Sequence, residues 1–156
     1  MTFRIQALDP GRFAALFDLP DAALAGHLAV RVVADSSPGF PCRVSLADSE
    51  VGEELLLVNH VHQPLASPYR AAHAVFVRRN VAQAHPRPAE VPAMFRTRQL
   101  SLRGFDTNAM LLQAELIQGA ALGATLDAMF AEAPGVAFVD IHFAGPGCYA
   151  AKAVRA

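Results

Sequence analysis

The chain has 156 residues, of which 53% are hydrophobic and 17% are charged, with 13 basic side chains against 14 acidic ones. This length suits one domain with a full apolar core, so we expect a single domain over residues 1–156. The composition excludes a disordered chain, and the near-neutral charge without a basic run argues against nucleic acid or an anionic membrane as a partner.

The cysteine content and the beginning of the chain indicate a compartment. Cys42 and Cys148 are the only cysteines, and no CxxC pair occurs, which is not the pattern of a secreted disulfide framework. Residues 1–5 lack the apolar run of a signal peptide, and no apolar stretch reaches the roughly 18 residues that cross a bilayer. We therefore expect a reduced, cytoplasmic protein without a membrane segment.

The first third of the chain predicts two short helices set between strands. Asp9 followed by Pro10 suits a helix start, because an aspartate caps the free backbone N–H groups and proline fits the first helical turn. Residues 35–41 are rich in turn-forming residues. The predicted strands are residues 3–8, 29–34 and 42–46.

The rest of the chain predicts three hairpins and one longer helix. The strands are residues 54–62 with 70–79, 99–105 with 110–117, and 136–143 with 148–154, and the helix covers residues 120–133. Because hairpins outnumber crossovers, the predicted fold class is α+β, with a mainly antiparallel sheet built of hairpins and a few helices packed on one face.

The strand over residues 136–143 has two contrasting faces. Alternate side chains point to opposite faces of a strand, and one of these faces is wholly apolar, so we expect it to meet the helices. The other face carries Asp140 and His142 at neighbouring positions. That face is either a solvated sheet surface or the wall of a concave site.

Tyr69, Arg70 and His73 lie together at the entrance of one predicted strand. Arg70 offers a planar fork for a carboxylate or a phosphate, and His73 can act as a general base because imidazole titrates near neutral pH. The alternative is structural: an arginine–carboxylate pair that closes a loop, and a half-buried histidine with a hydrogen-bond partner.

The two cysteines are candidate nucleophiles. Cys42 precedes Arg43, and a neighbouring cation activates a thiolate, although free cysteine is also among the residues most often buried. His142 and Cys148 are about equally far from the last hairpin turn, so they are predicted to be cross-strand neighbours and a candidate base–nucleophile pair. The alternative is a small, inert residue in a packed sheet.

His60 and His62 share one strand face, with the spacing found in some zinc sites. A third ligand would have to come from His73, Asp106, His142 or a cysteine. Because no second close ligand pair exists, the sequence favours solvent-facing histidines and assigns no metal.

Arg103 and Asp106 flank a hairpin corner, where Asp106 most simply caps the turn. No GxGxxG, Walker A, HExxH or GxSxG motif occurs, so the sequence leaves the cofactor, if there is one, unknown.

Four segments together resemble a known family: ADSSPGFPCRVSL at 34–46, PYRAAHAVFVR at 68–78, LSLRGFD at 100–106 and HFAGPGCYAA at 142–151. The family is a group of small bacterial proteins catalogued as domain of unknown function 1203, and the resemblance covers nearly the whole chain. It implies a single-domain, stand-alone bacterial protein. It implies no activity, cofactor or substrate.

Two hypotheses for the function follow. The first is a pocket for a small anionic ligand near Tyr69, Arg70 and His73. In an enzyme of this kind, His73 or His142 is the base and Cys148 or Cys42 the nucleophile. The residues expected to bind the ligand are Cys42, Arg43, Tyr69, Arg70, Arg103, Asp106 and Tyr149. The rival hypothesis is a non-catalytic structural or interaction module that forms homo-oligomers.

Overall fold

The computed structural model describes residues 2–156, which contain ten strands, three α-helices and four 3-10 turns. The strands are β1 (Phe3–Gln6), β2 (Ala29–Val33), β3 (Pro41–Cys42), β4 (Ala47–Asp48), β5 (Glu54–Gln63), β6 (Ala71–Arg78), β7 (Gln99–Phe105), β8 (Leu111–Gln118), β9 (Phe138–Phe143) and β10 (Tyr149–Arg155). The α-helices are α1 (Asp21–Leu24), α2 (Ala93–Arg96) and α3 (Leu122–Glu132). The 3-10 turns are Pro10–Arg12, Ala14–Asp18, Ala25–His27 and Gly119–Ala121.

The strands of this described region form two five-stranded sheets. Sheet I has the order β1-β10-β9-β7-β8 and is antiparallel at every pair. Sheet II has the order β2-β5-β6-β3-β4, and β3 runs parallel to β6. The predicted α+β class with mainly antiparallel pairing is confirmed. The prediction of one sheet was wrong, because the β5–β6 hairpin joins sheet II while the later hairpins join sheet I.

The prediction of a strand over residues 42–46 was also wrong. The strand ends at Cys42, and the backbone N–H of Leu46 donates to the carbonyl of Cys42 at 3.0 Å. Leu46 has a φ of 51°, in the left-handed region, which reverses the chain toward β4. The alternation of Cys42, Val44 and Leu46 resembles a strand, but all three side chains are buried at a turn.

Helix α3 covers one face of sheet I with a helical stripe of buried side chains. Leu122, Leu126, Met129 and Phe130 are at most 2% exposed and belong to one core with Ile141 of β9. Burying one such side chain contributes about 1.5–3 kcal/mol. The predicted contact of the apolar β9 face with a helix is therefore confirmed. In residues 2–156, no helix has the length and apolar character needed to cross a membrane.

A second core lies on sheet II. Phe13, Phe17 and Leu24, from the helical segment after β1, pack with Leu56 and Val75 of the central strands. Tyr149 of sheet I also belongs to this second core, so the two sheets meet at this point. Both strands that build the meeting point are irregular: β5 shifts register against β6 between Val61 and Gln63, and β10 shifts against β9 just after Tyr149. Such bulges re-aim side chains and are common beside functional sites.

Candidate functional site

A cluster of polar side chains is buried where the two sheets meet. Sheet II contributes His62, at the bulge of β5, and sheet I contributes Asp140 and His142 of β9. Their exposed fractions are 7%, 0% and 0%. Of the two interpretations of this β9 face, the solvated surface is excluded. The face instead forms the wall of an internal polar site.

The ring of His62 is held between two other rings. It stacks on Tyr149 with ring centroids 4.7 Å apart and on His73 with centroids 4.8 Å apart, at interplanar angles of 14° and 10°. His142 meets the edges of His62 and His73 at 5.1 and 5.2 Å. Contact on both faces fixes the plane of the His62 ring, as a preorganised site requires.

Hydrogen bonds fix the tautomer of one ring in this cluster and pair the other with a carboxylate. Nδ1 of His142 lies 3.2 Å from the carbonyl oxygen of Gly147, so this nitrogen carries the proton and Nε2 carries the lone pair. Nδ1 of His62 lies 3.3 Å from Oδ2 of Asp140. Lys152 Nζ lies 3.5 Å from Oδ1 of the same carboxylate. Asp140 is therefore shared between a histidine and a partly exposed lysine.

Several buried polar atoms of this cluster are unsatisfied. Among residues 2–156, Nε2 of His62, Nε2 of His142 and Nδ1 of His73 have no hydrogen-bond partner. A buried polar group without a partner costs on the order of 1–3 kcal/mol. Three orphan ring nitrogens in one place are therefore expensive for a structure whose only purpose is stability.

The surroundings keep the imidazoles of His60, His73 and His142 neutral. Burial, with a smaller contribution from Arg103, lowers the pKa of His142 to about 3. Burial and the neighbouring His62 lower the pKa of His73, and burial and Arg12 lower the pKa of His60 to about 4. Burial also raises the pKa of Tyr149, so its phenol stays protonated. The cluster thus offers lone pairs at neutral pH.

A basic cleft opens on one side of the cluster. It has a volume of about 790 Å³, and its floor includes His60, His62 and Tyr149. The basic side chains on its walls are Arg4, Arg12, His85, Arg87 and Lys152. Among the described residues that line it, Asp9 is the one carboxylate, and its oxygen already accepts the N–H of Gly11 at 2.8 Å. The cleft is therefore electropositive.

Arg43 and Cys148 lie in a second cleft, of about 560 Å³. Arg43 is 1% exposed and donates to the carbonyl of Tyr149 at 2.9 Å and to Sγ of Cys148 at 3.1 Å. Its guanidinium also lies 5.0 Å from the ring centre of Phe143. Burial is the main cause that lowers the pKa of Arg43. Arg43 thus ties the β3 turn to the last hairpin.

The predicted pairing of His142 with Cys148 was wrong by one residue. His142 lies opposite Tyr149 in the sheet, and the N–H of Phe143 donates to the carbonyl of Cys148. Because a shift of one residue moves a side chain to the other face of a strand, Cys148 contacts Arg43 and Tyr149 takes the place beside His142. Cys42, fully buried, accepts the backbone N–H of Arg78 on its sulfur at 3.3 Å.

The remaining predicted residues are divided between the cluster and the surface. Arg103 lies opposite Asp140 in sheet I, and its charge acts on His73 and His142. Asp106 accepts two backbone N–H groups of its own turn, at 2.8 and 2.9 Å. Tyr69 is 40% exposed against the edge of Phe105, and Arg70 donates to the carbonyl of Pro64.

Five residues of the cleft wall were missed from the sequence: Arg4, Arg12, His85, Arg87 and Lys152. Asp140 was noted on its strand face but was not given a role. The pairing of Asp140 with His142 on one strand face was visible in the alternation. Its meeting with His62 was not visible, because 78 residues separate Asp140 from His62 in the chain. The basic residues lie on separate elements and carry no common spacing.

Comparisons with known proteins place the chain in a family and assign no activity. A family profile described as "Protein of unknown function (DUF1203)" matches residues 39–155. Neither the curated proteins nor the solved structures contain a match to the chain. The profile match confirms the resemblance found in the sequence: the chain belongs to the DUF1203 family of proteins of unknown function.

Proposed function

We propose that the protein binds a small anionic molecule in the basic cleft. The observation that carries this proposal is the charge of the cleft wall, where arginine and lysine side chains face one carboxylate that is already engaged. The volume of about 790 Å³ suits a small molecule, since ligand clefts commonly measure about 300–1,000 Å³.

Arg4 and Arg12 are the cations best placed to meet the ligand. Arg87 is paired with Glu90 at 3.2 Å, and Lys152 with Asp140 at 3.5 Å. Over residues 2–156, by contrast, the side chains of Arg4 and Arg12 make no ion pair. A free guanidinium binds a carboxylate or a phosphate through two parallel hydrogen bonds. The ligand is therefore expected to carry such a group.

This proposal moves the ligand from the entrance at Tyr69 and Arg70 to the basic cleft. Among the described residues, His60, His62 and Tyr149 line this cleft, whereas Tyr69, Arg70 and His73 do not. The anionic character expected from the sequence is kept. The cations that supply it are different, because Arg70 is engaged by a loop carbonyl and Arg43 by the hairpin.

The test is a thermal-shift and calorimetry series with inorganic phosphate, pyrophosphate and citrate as probes, and glycerol as the neutral control. A ligand that binds only the folded state stabilises it, by about 2.7 kcal/mol at a concentration of 100 Kd. At least one anion should raise the Tm, and Arg12→Ala should remove the rise. Arg96→Ala, an exposed arginine outside the cleft, is the matched control and should keep it.

The proposal is overturned if no anion changes the Tm, or if Arg12→Ala and Arg96→Ala respond alike. A general salt effect would act on both variants equally, so the comparison between them separates a site from screening.

A second candidate, self-association, is favoured by the edge of sheet I. Strand β8 is at this edge, and its outward residues Leu112 and Leu116 are 50% and 64% exposed. An exposed apolar edge strand pairs readily with a second copy of itself. Light scattering should show a dimer that Leu116→Lys converts to a monomer, while Val51→Lys, at an equally exposed valine in a turn, has no effect. A monomeric wild type would remove this candidate.

A further inference from the structure

We propose that His62, Asp140 and His142 form a binding site for one first-row divalent metal ion of the zinc class. Each side chain offers one ligand atom, and these atoms lie within 4.8 Å of one another. Two imidazoles and one carboxylate are a common donor set for catalytic zinc and for other ions of this series. The sequence favoured solvent-facing histidines at His60 and His62, which was wrong, because both side chains are buried and His62 belongs to this set.

The first support is the set of lone pairs. The carbonyl of Gly147 holds the proton of His142 on Nδ1, which leaves Nε2 free, buried and without a partner in the described chain. Metal-binding histidines typically donate their second nitrogen to a backbone carbonyl or a carboxylate in this way. The arrangement therefore fits a ligand better than a core histidine, which would use both nitrogens.

The second support is the distance between His62 and Asp140. Their nearest atoms are 3.3 Å apart, which is long for a charge-assisted N–H···O bond of about 2.7–2.9 Å. It is close to the separation of about 3.3 Å between two ligands of a tetrahedral zinc ion with bonds of about 2.0–2.1 Å. The complete set spreads to 4.8 Å, so a bound ion draws the three side chains together.

His73 is not a fourth ligand. Its ring lies nearly parallel to that of His62, at an interplanar angle of 10°, and one ion cannot lie in the planes of two stacked rings. The stacking of His62 between His73 and Tyr149 orients a ligand instead. Zinc with three protein ligands keeps an open position for water or an anion. Since His62 lines the basic cleft, that position suits the anion, a link that rests on the proposed function.

Lys152 competes with the ion. Its Nζ lies 3.5 Å from the carboxylate of Asp140 and 3.8 Å from the ring centre of Phe138. The side chain is 24% exposed, so it can swing toward solvent when a metal takes its place. Removing this charge should strengthen metal binding. A variant that failed to fold would bind the metal more weakly, so the two outcomes can be distinguished.

The experiment titrates the chelator-treated and desalted protein with Zn²⁺ by calorimetry, in the absence of phosphate or carboxylate. Co²⁺ absorption serves as a second readout, because tetrahedral cobalt has characteristic visible bands. We expect one ion per chain. Asp140→Asn should weaken binding roughly 100-fold or more, while His27→Ala, at an exposed histidine elsewhere, should leave it unchanged. Lys152→Gln should tighten binding roughly tenfold.

The proposal is overturned if the wild type binds no stoichiometric zinc, or if Asp140→Asn and His27→Ala weaken binding equally. Far-UV circular dichroism checks that each variant is folded. Should Asp140→Asn not fold, Lys152→Gln decides, because unchanged or weaker zinc binding in that variant contradicts the proposal. Anion binding measured on the chelator-treated and desalted protein, without added metal, separates a failure of this site from a failure of the basic cleft.

Discussion

The two faces of strand β9 are equally buried and chemically opposite. Val139 and Ile141 face the core with α3, and Asp140 and His142 face the cluster with His62, yet all four β9 residues are 0% exposed. The apolar face gains free energy when it leaves water, by about 25 cal/mol per Å² of buried area. The polar face loses free energy unless every donor and acceptor finds a partner.

This difference indicates that one face of the strand stabilises the fold and the other forms a binding site. The apolar face is explained by packing alone. The polar face retains an orphan nitrogen on His142, as well as the Asp140 carboxylate, which is shared between the His62 ring of β5 and a lysine. Packing does not account for these features. A ligand that binds through the free lone pairs would account for them.

The largest effect on stability is expected from a substitution on the apolar face of β9. Ile141→Ala should lower the free energy of unfolding by about 2–5 kcal/mol, because it leaves a cavity in the core under α3. Urea unfolding followed by circular dichroism measures the loss. Leu112→Ala, at a half-exposed leucine on β8, should change stability by less than about 1 kcal/mol. Equal effects of the two variants would contradict the assignment of Ile141 to a packed core.

Arg43 tests the end of the apolar face, where Phe143 meets a buried cation. Arg43→Met should cost about 1–3 kcal/mol, because the carbonyls of Tyr149 and Pro41 lose their donor. The loss is partly offset, since a buried guanidinium no longer has to be stripped of water. Urea unfolding is again the measurement, and Arg96→Met, at an exposed arginine, is the control. No difference between the two would show that the Arg43 bonds add nothing to stability.

Asp140 gives the contrast on the polar side of the strand. Asp140→Leu should cost less than about 2 kcal/mol, because a leucine tolerates burial and Lys152 can turn to solvent. The same variant should lose zinc binding. Unfolding curves of Asp140→Leu and Ile141→Ala, measured side by side, test this prediction. A loss of stability in Asp140→Leu as large as that in Ile141→Ala would make Asp140 a structural residue.

The smallest effect on stability is expected at the cysteines. Cys148 borders the second cleft and is partly exposed, whereas Cys42 is 0% exposed. In the folded protein, a thiol reagent such as DTNB should therefore modify one cysteine, and Cys148→Ser should remove that reaction while stability stays within about 0.5 kcal/mol. Equal reaction rates at both thiols would show that the region around Cys42 opens on the time scale of labelling.

Much of the local structure could be predicted from the sequence. Alternation and helical spacing predict the three hairpins after residue 54, helix α3 and the two faces of β9. Both patterns are properties of neighbouring residues. The shared face of His60 and His62 follows from the same rule, and both rings pack against Tyr149.

The candidate site was predicted less well, because it depends on register and on long-range contacts. A one-residue difference in the last hairpin placed Tyr149, not Cys148, beside His142. The irregularity after Tyr149 that accompanies this register leaves no mark in the hydrophobic pattern. Likewise, the engagement of Arg70 by a loop carbonyl and of Arg43 by the hairpin depends on where distant backbone carbonyls lie.

The sequence by itself determined most of the strand segments, which face of β9 is apolar, and that Asp140 and His142 share a side. Only the tertiary structure decided that the hairpins divide between two sheets and that His62 of one meets Asp140 and His142 of the other. The physical reason is that alternation fixes the direction of a side chain relative to its own strand. Which strand lies opposite depends on how all the apolar faces can be buried at once.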